Sequence, residues 1–226
     1  WAGWDVYRRQ GCHEDGMGDR IAALRWDDDN IEVVGGDPPR VTIAGESAGA
    51  GSVMAILASP EADDLYHQAI SQSAPAAFMP PSTALAQEVL ASAGAHGVHV
   101  LRSLPADAII EIQKQLATAT VGSTVARPRL PGSARRGIRP AIDGITVTRS
   151  PPEAAGERGI PLLLGTNLDE GTLFGGHLPK EISDDLLRSL AADHTSNPDP
   201  VIEAFRAEQP ATDNRTLAVS MIGDTL

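Results

Sequence analysis

One cysteine, three tryptophans, two tyrosines and three phenylalanines supply all the thiol and aromatic groups of this 226-residue chain. The lone Cys12 excludes an intrachain disulfide and a cysteine-based metal site. It stands beside His13 among polar residues with no strand-turn frame, so it is read as an ordinary thiol and not a nucleophile. No apolar run approaches the roughly 18 residues that a membrane span needs. The longest candidate, 41–58, is broken by Glu46 and three glycines. The first twenty residues carry Arg8, Arg9, Glu14 and Asp15 but no apolar stretch of the kind a signal peptide has. A soluble protein is expected, with the cytoplasm favoured as its location. Positive charge is scarce: 18 Lys and Arg stand against 30 Asp and Glu, a net charge of −12. That balance argues against nucleic-acid partners and against docking on anionic lipid. The acidic run Asp27-Asp28-Asp29 is read as a solvated helix face. No internal repeat is visible.

What remains is the composition of an ordinary globular protein, 42% hydrophobic and 21% charged. The length suits one domain with a substantial core, so 1–226 is taken as a single, partial domain. Residues 1–15 show no periodicity. Over 19–34 the spacing of Ile21, Leu24, Ile31 and Val34 predicts a helix with one apolar face, broken by Gly35-Gly36-Asp37-Pro38-Pro39. The β-branched run 40–44 predicts a buried strand, 45–49 a turn, and 50–58 a helix that ends before Pro60. A second strand is expected at 68–72 and helices at 85–95 and 106–117. Between Thr118 and Gly137 five Thr or Ser, three Gly and two Pro mark a loop or inserted linker, bounded at 119–138. A strongly apolar strand is expected at 160–164, then a short helical segment. Three helices follow from Lys180 on, separated at Asn197-Pro198 and Gln209-Pro210. Strands alternating with helices imply an α/β fold with a mostly parallel sheet and flanking helices.

The chemistry concentrates in Gly45-Glu46-Ser47-Ala48-Gly49, a G-x-S-x-G sequence between a predicted strand and a predicted helix. A nucleophilic serine needs such a turn, because the tight bend projects its hydroxyl from the strand end. Gly45 and Gly49 are expected to remove Cβ atoms where strand and helix pack closest. The Ala48 amide, at the start of the helix, is aimed where an oxyanion would develop. A Gly/Ser-rich turn can also be purely structural. The strand-turn-helix frame favours the catalytic reading.

The wider sequence resembles the type-B carboxylesterases, a family that includes the para-nitrobenzyl esterases and the cholinesterases. Its blocks occur in family order. They begin with Ile21-Ala22-Ala23-Leu24-Arg25-Trp26, Asp29-Asn30-Ile31, Gly35-Gly36-Asp37-Pro38 and the stretch from Val41 to Ala50. They continue through Leu57-Ala58-Ser59-Pro60, Ala69-Ile70-Ser71-Gln72-Ser73, Pro140-Ala141-Ile142-Asp143-Gly144, and the run from Pro161 to Phe174. The resemblance implies an α/β-hydrolase fold and hydrolysis of small-molecule carboxylic esters through an acyl-enzyme, with no metal or cofactor required. It implies Ser47 as the nucleophile, Ala48 as an oxyanion-hole donor and Glu170 as the acid that orients a catalytic histidine. Ser73 is implied as a serine packed near that acid and hydrogen-bonded to it. Without the resemblance, Glu170 would be read as an exposed acid in a first helical turn, where negative charge is favoured. Glu46 and Asp169 are read as structural.

Two parts of the family's equipment are missing from this sequence. No His-Gly-Gly-type loop precedes Ser47, and no Gly-x-x-His block follows Glu170. His13, His67, His96 and His99 precede Glu170, the wrong side for the Ser, acid, His order. His177 is only seven residues beyond it, and His194, in the right order, sits at a polar helix end. The chain therefore reads as an internal fragment of a longer esterase, or a damaged gene product, with little activity of its own. Losing the base of a serine triad costs on the order of 10⁶ in kcat, as measured in subtilisin. Each missing oxyanion donor adds roughly 10²–10³. The competing reading is a non-catalytic esterase-like binding module. Retention of Ser47, Glu170 and both motif glycines argues against it.

Overall fold

The structure is a computed structural model that describes residues 15–74, 83–118, 140–176, 178–192 and 195–223. Cys12, His177, His194 and the expected 119–138 loop lie outside the described residues. The chain divides into two compact units, residues 1–113 with 138–165, and residues 114–137 with 166–226.

The first unit is built on a three-stranded parallel sheet in the order β1 (Thr42–Glu46), β2 (Gln68–Gln72), β3 (Leu162–Gly165). The register sets Ile43, Ala69 and Leu162 side by side on one face, and Ala44, Ile70 and Leu163 on the other. Helix α1 (Asp15–Asn30) precedes the sheet, α2 (Ala48–Leu57) follows β1, and α6 (Pro151–Glu157) leads towards β3. Helices α3 (Thr83–Ser92), α4 (Val98–Ser103) and α5 (Ala106–Thr118) lie between β2 and α6 in sequence. Helix α2 is the centre of this unit. Every residue from Ala50 to Leu57 is buried, as expected of a helix apolar on all sides. It packs on β1, β2, α6 and α1. Met17, Ile21 and Leu24 of α1, Ile43 and Ala69 of the sheet, and Val53, Ile56 and Leu57 of α2 form one core.

The predicted helix over 19–34 is instead an α-helix to Asn30 followed by a 3-10 turn, Ile31–Val34. The tighter turn breaks the periodicity, so Ile21 and Leu24 are buried while Val34 is 70% exposed. The first strand is Thr42–Glu46 and only Ile43 of it is buried, so it is not the fully buried strand expected at 40–44. The strand at 68–72 stands as predicted. The third strand is apolar as predicted, but Leu163 and Leu164 are exposed on opposite faces of a sheet edge.

The second unit contains α7 (Glu170–Gly175), α8 (Asp184–Ala191), α9 (Pro198–Glu208) and α10 (Asn214–Gly223). The last three match the helices expected beyond Lys180. Its core is Leu187, Leu190, Ile202, Leu217, Met221 and Ile222.

Candidate active site

Strand β1 delivers the chain to Ser47 at its carboxyl end, and α2 begins at the next residue. Ser47 has φ 52° and ψ −117°, a backbone state that a residue with a Cβ adopts only at a cost of about 1–3 kcal/mol. The surrounding bonds hold it there: its N–H donates to the Gln72 carbonyl of β2 (2.8 Å), and its carbonyl accepts from Gly51 (2.9 Å). Serine at a helix N-cap ordinarily turns its hydroxyl back onto the first-turn amides. Ser47 makes no such bond, and its residue is exposed. The hydroxyl thus projects from the end of the sheet beside the positive end of α2, where Ala48 and Gly49 are also exposed.

Gly45 has a steric reason to be glycine. A Cβ there would lie 2.3 Å from the carbonyl carbon of Gly49 and 2.7 Å from the Ala50 nitrogen, both backbone atoms that cannot move aside cheaply. The expectation for Gly49 fails in this respect. A Cβ on Gly49 would meet nothing among the described residues. Gly49 is the backbone that Gly45 makes room for, and its own side chain would face open space.

Ser73 ends β2 much as Ser47 ends β1. It too has a left-handed backbone, φ 53°, and its N–H donates to the Gly165 carbonyl of β3 (2.7 Å). Ser47 and Ser73 therefore stand at neighbouring strand ends on the carboxyl edge of a parallel sheet, the edge where α/β folds place their ligands. His67, by contrast, precedes β2 at its amino end, a strand length of roughly 16 Å away by strand geometry. His96 and His99 are exposed around the start of α4.

Glu170 belongs to the second unit and opens α7. It is half-buried, and its Oε1 accepts two bonds from Asn167, one from the backbone N–H (2.9 Å) and one from the side-chain amide (3.0 Å). Gly171 is fixed by packing: a Cβ there would fall 1.9 Å from the Val219 carbonyl oxygen of α10. The sequence reading missed this role, since its cause lies almost fifty residues away. The neighbouring Asp169 backbone carbonyl accepts the Thr172 N–H (3.0 Å). Among the described residues no group of three or more His, Cys, Asp or Glu could hold a metal, and no helix is long and apolar enough to cross a membrane.

A strained serine at the carboxyl end of a parallel strand, followed at once by a helix, is the elbow of an α/β-hydrolase fold. A carboxylesterase family model matches residues 15–214, and the chain belongs to that family. It is 34% identical over 172 residues to the para-nitrobenzyl esterase of Bacillus subtilis (strain 168), covering 70% of this chain and 32% of that protein. It is 33% identical over 192 residues to liver carboxylesterase 1 of Mus musculus, covering 78% and 33% of the two chains. Among solved structures, a PNB esterase superposes with a TM-score of 0.74 at 28% identity, over 95% of this chain and 43% of that one. The carboxylesterase of Geobacillus stearothermophilus gives 0.71 at 31% identity, over 93% and 43%. The chain spans about a third of the length of the curated relatives it matches.

Proposed function

We propose that this chain carries the nucleophile of a carboxylic ester hydrolase. Ser47 attacks the carbonyl of a small-molecule ester, the alcohol leaves, and water releases the acid from the acyl-enzyme. The observation that carries this reading is the Ser47 backbone at φ 52° and ψ −117°, held by hydrogen bonds while the hydroxyl makes no capping bond. A fold gains nothing in stability from a serine in that state, and a nucleophile needs it. The Ala48 amide is one oxyanion donor. Family membership supports Glu170 as the acid that orients the base, with Ser73 as the serine that supports it. The Asn167 bonds to Glu170 leave the carboxylate ordered for that task. The base itself is a histidine that the described residues do not identify.

The test is prolonged incubation of the chain with p-nitrophenyl butyrate, followed by mass spectrometry of its peptides, beside Ser47→Ala. A butyryl adduct on Ser47, forming faster than on any other serine and absent from the variant, is expected. Adducts scattered over several serines, with equal hydrolysis by the variant, would overturn the reading. Rapid Ser47-dependent turnover would show that a histidine within the sequence serves as base, and His194→Ala is then the next variant.

A further inference from the structure

Helix α2 starts at the nucleophile, and what holds its other end is supplied from far along the chain. Its last turn contains no basic residue, although a helix C-terminus attracts positive charge and leaves carbonyls in need of donors. Arg158, just past α6, provides both. Its Nε donates to the Leu57 carbonyl (2.8 Å), a second nitrogen donates to the Ser59 carbonyl (2.8 Å), and the third pairs with the Asp63 carboxylate. The guanidinium lies 5.9 Å from the centroid of the Tyr66 ring, and the Arg158 side chain is only 16% exposed. Thr148 adds two bonds to the intervening Ala58 carbonyl, from its N–H and its hydroxyl (3.2 Å each).

We infer that Arg158, assisted by Thr148, is a positioning residue for the nucleophile elbow. Apart from the buried Ser71 hydroxyl of β2, which donates a long bond to the Ala50 carbonyl (3.4 Å), contacts along the body of α2 are chiefly apolar, and apolar packing has no direction. Where α2 meets β1 most closely, Gly45 faces bare backbone, which offers no side chain to stop a slide along the helix axis. The planar fork of Arg158 fixes distance and angle to three acceptors together, which a lysine cannot do. Ten residues make a rod of about 15 Å, stiff enough that a shift at Leu57 is carried to Ala48. The clamp thereby sets where the Ala48 amide stands relative to Ser47. The inference rests on Ser47 being the nucleophile, but its structural half can be measured without catalysis.

The experiment is amide hydrogen exchange on the full chain carrying Arg158→Lys, with Asp63→Asn as the comparison. Asp63→Asn removes the exposed ion pair and leaves both carbonyl bonds of the clamp in place. In Arg158→Lys, exchange at Gly51 and Ser52, the far end of the helix, is expected to accelerate about tenfold while β2 is unchanged. Asp63→Asn is expected to leave these amides as they are. If the chain turns over p-nitrophenyl butyrate, kcat should fall in Arg158→Lys with KM unchanged. Faster exchange confined to residues 57–63, or an equal acceleration through β2, would overturn the inference, because the clamp would then act only locally or only on general stability. Should Arg158→Lys fail to fold, Thr148→Val, which removes one clamp bond, carries the same comparison. Absence of Ser47 acylation in the unmodified chain would count against the proposed function alone, since the exchange result does not depend on it.

Discussion

The two glycines of the elbow look equivalent in sequence and are opposite in structure. Gly45→Ala places a methyl against the Gly49 backbone and is expected to cost about 3 kcal/mol, read as a lower urea midpoint with a similar slope. Gly49→Ala meets open space inside a helix, where alanine is the better helix former by about 1 kcal/mol, so its midpoint should hold or rise. Tyr66 offers a second contrast. The residue is 5% exposed, yet its hydroxyl has no hydrogen-bond partner among the described residues. Burial pushes the phenol above its ordinary value of 10.0, Arg158 draws it back in part, and Asp63 raises it again. A group raised in the folded state contributes stability below its unfolded value and loses it as pH climbs through the folded one. Tyr66→Phe should therefore raise stability by about 1 kcal/mol at neutral pH and flatten its decline above pH 10, both measurable by thermal melts.

At the scale of elements, helix ends decide most of what can be tested. Asp213 caps α10 by accepting the Thr216 N–H (2.7 Å), and that bond first, with its neighbours, holds the Asp213 carboxyl below its ordinary value of 3.8. Its contribution is present above that value and is lost as pH falls through the folded one. Asp213→Asn keeps an acceptor but does not titrate, so acid melts of the variant should show a shallower loss of helix below pH 3.8. Gly171→Ala drives a methyl into the Val219 carbonyl and should separate α7 from α10, seen as lost exchange protection in α10. The elements themselves were largely legible. β2 and the three helices beyond Lys180 carry their own turn and proline punctuation, and the G-x-S-x-G turn is local by nature. The misses have physical causes. Helix α6 opens with Ser150-Pro151-Pro152, a start signal that a reading centred on hydrophobic spacing passes over. Periodicity could not show that α1 tightens into a 3-10 turn at Ile31. Arg158 and Gly171 owe their roles to partners 101 and 48 positions away, and no local pattern announces those.

Across the whole molecule, apolar surface stands where a parallel sheet is ordinarily covered. Leu163 and Leu164 of the β3 edge are 62% and 59% exposed. Among the described residues that edge has no strand partner, and an unpaired edge with leucines on both sides favours association with other strands, even in a chain whose net charge of −12 opposes it. Sedimentation velocity should therefore show concentration-dependent association that Leu163→Lys reduces. The same scale gives the Arg158 clamp a meaning in time. The guanidinium that closes on the Leu57 carbonyl is made 101 residues later. At roughly 5–20 residues per second, the ribosome exposes α2 for about 5–20 s before its fastener exists. During that interval α2, whose residues Ala50 to Leu57 are all buried in the folded unit, holds its apolar faces with one end unfastened.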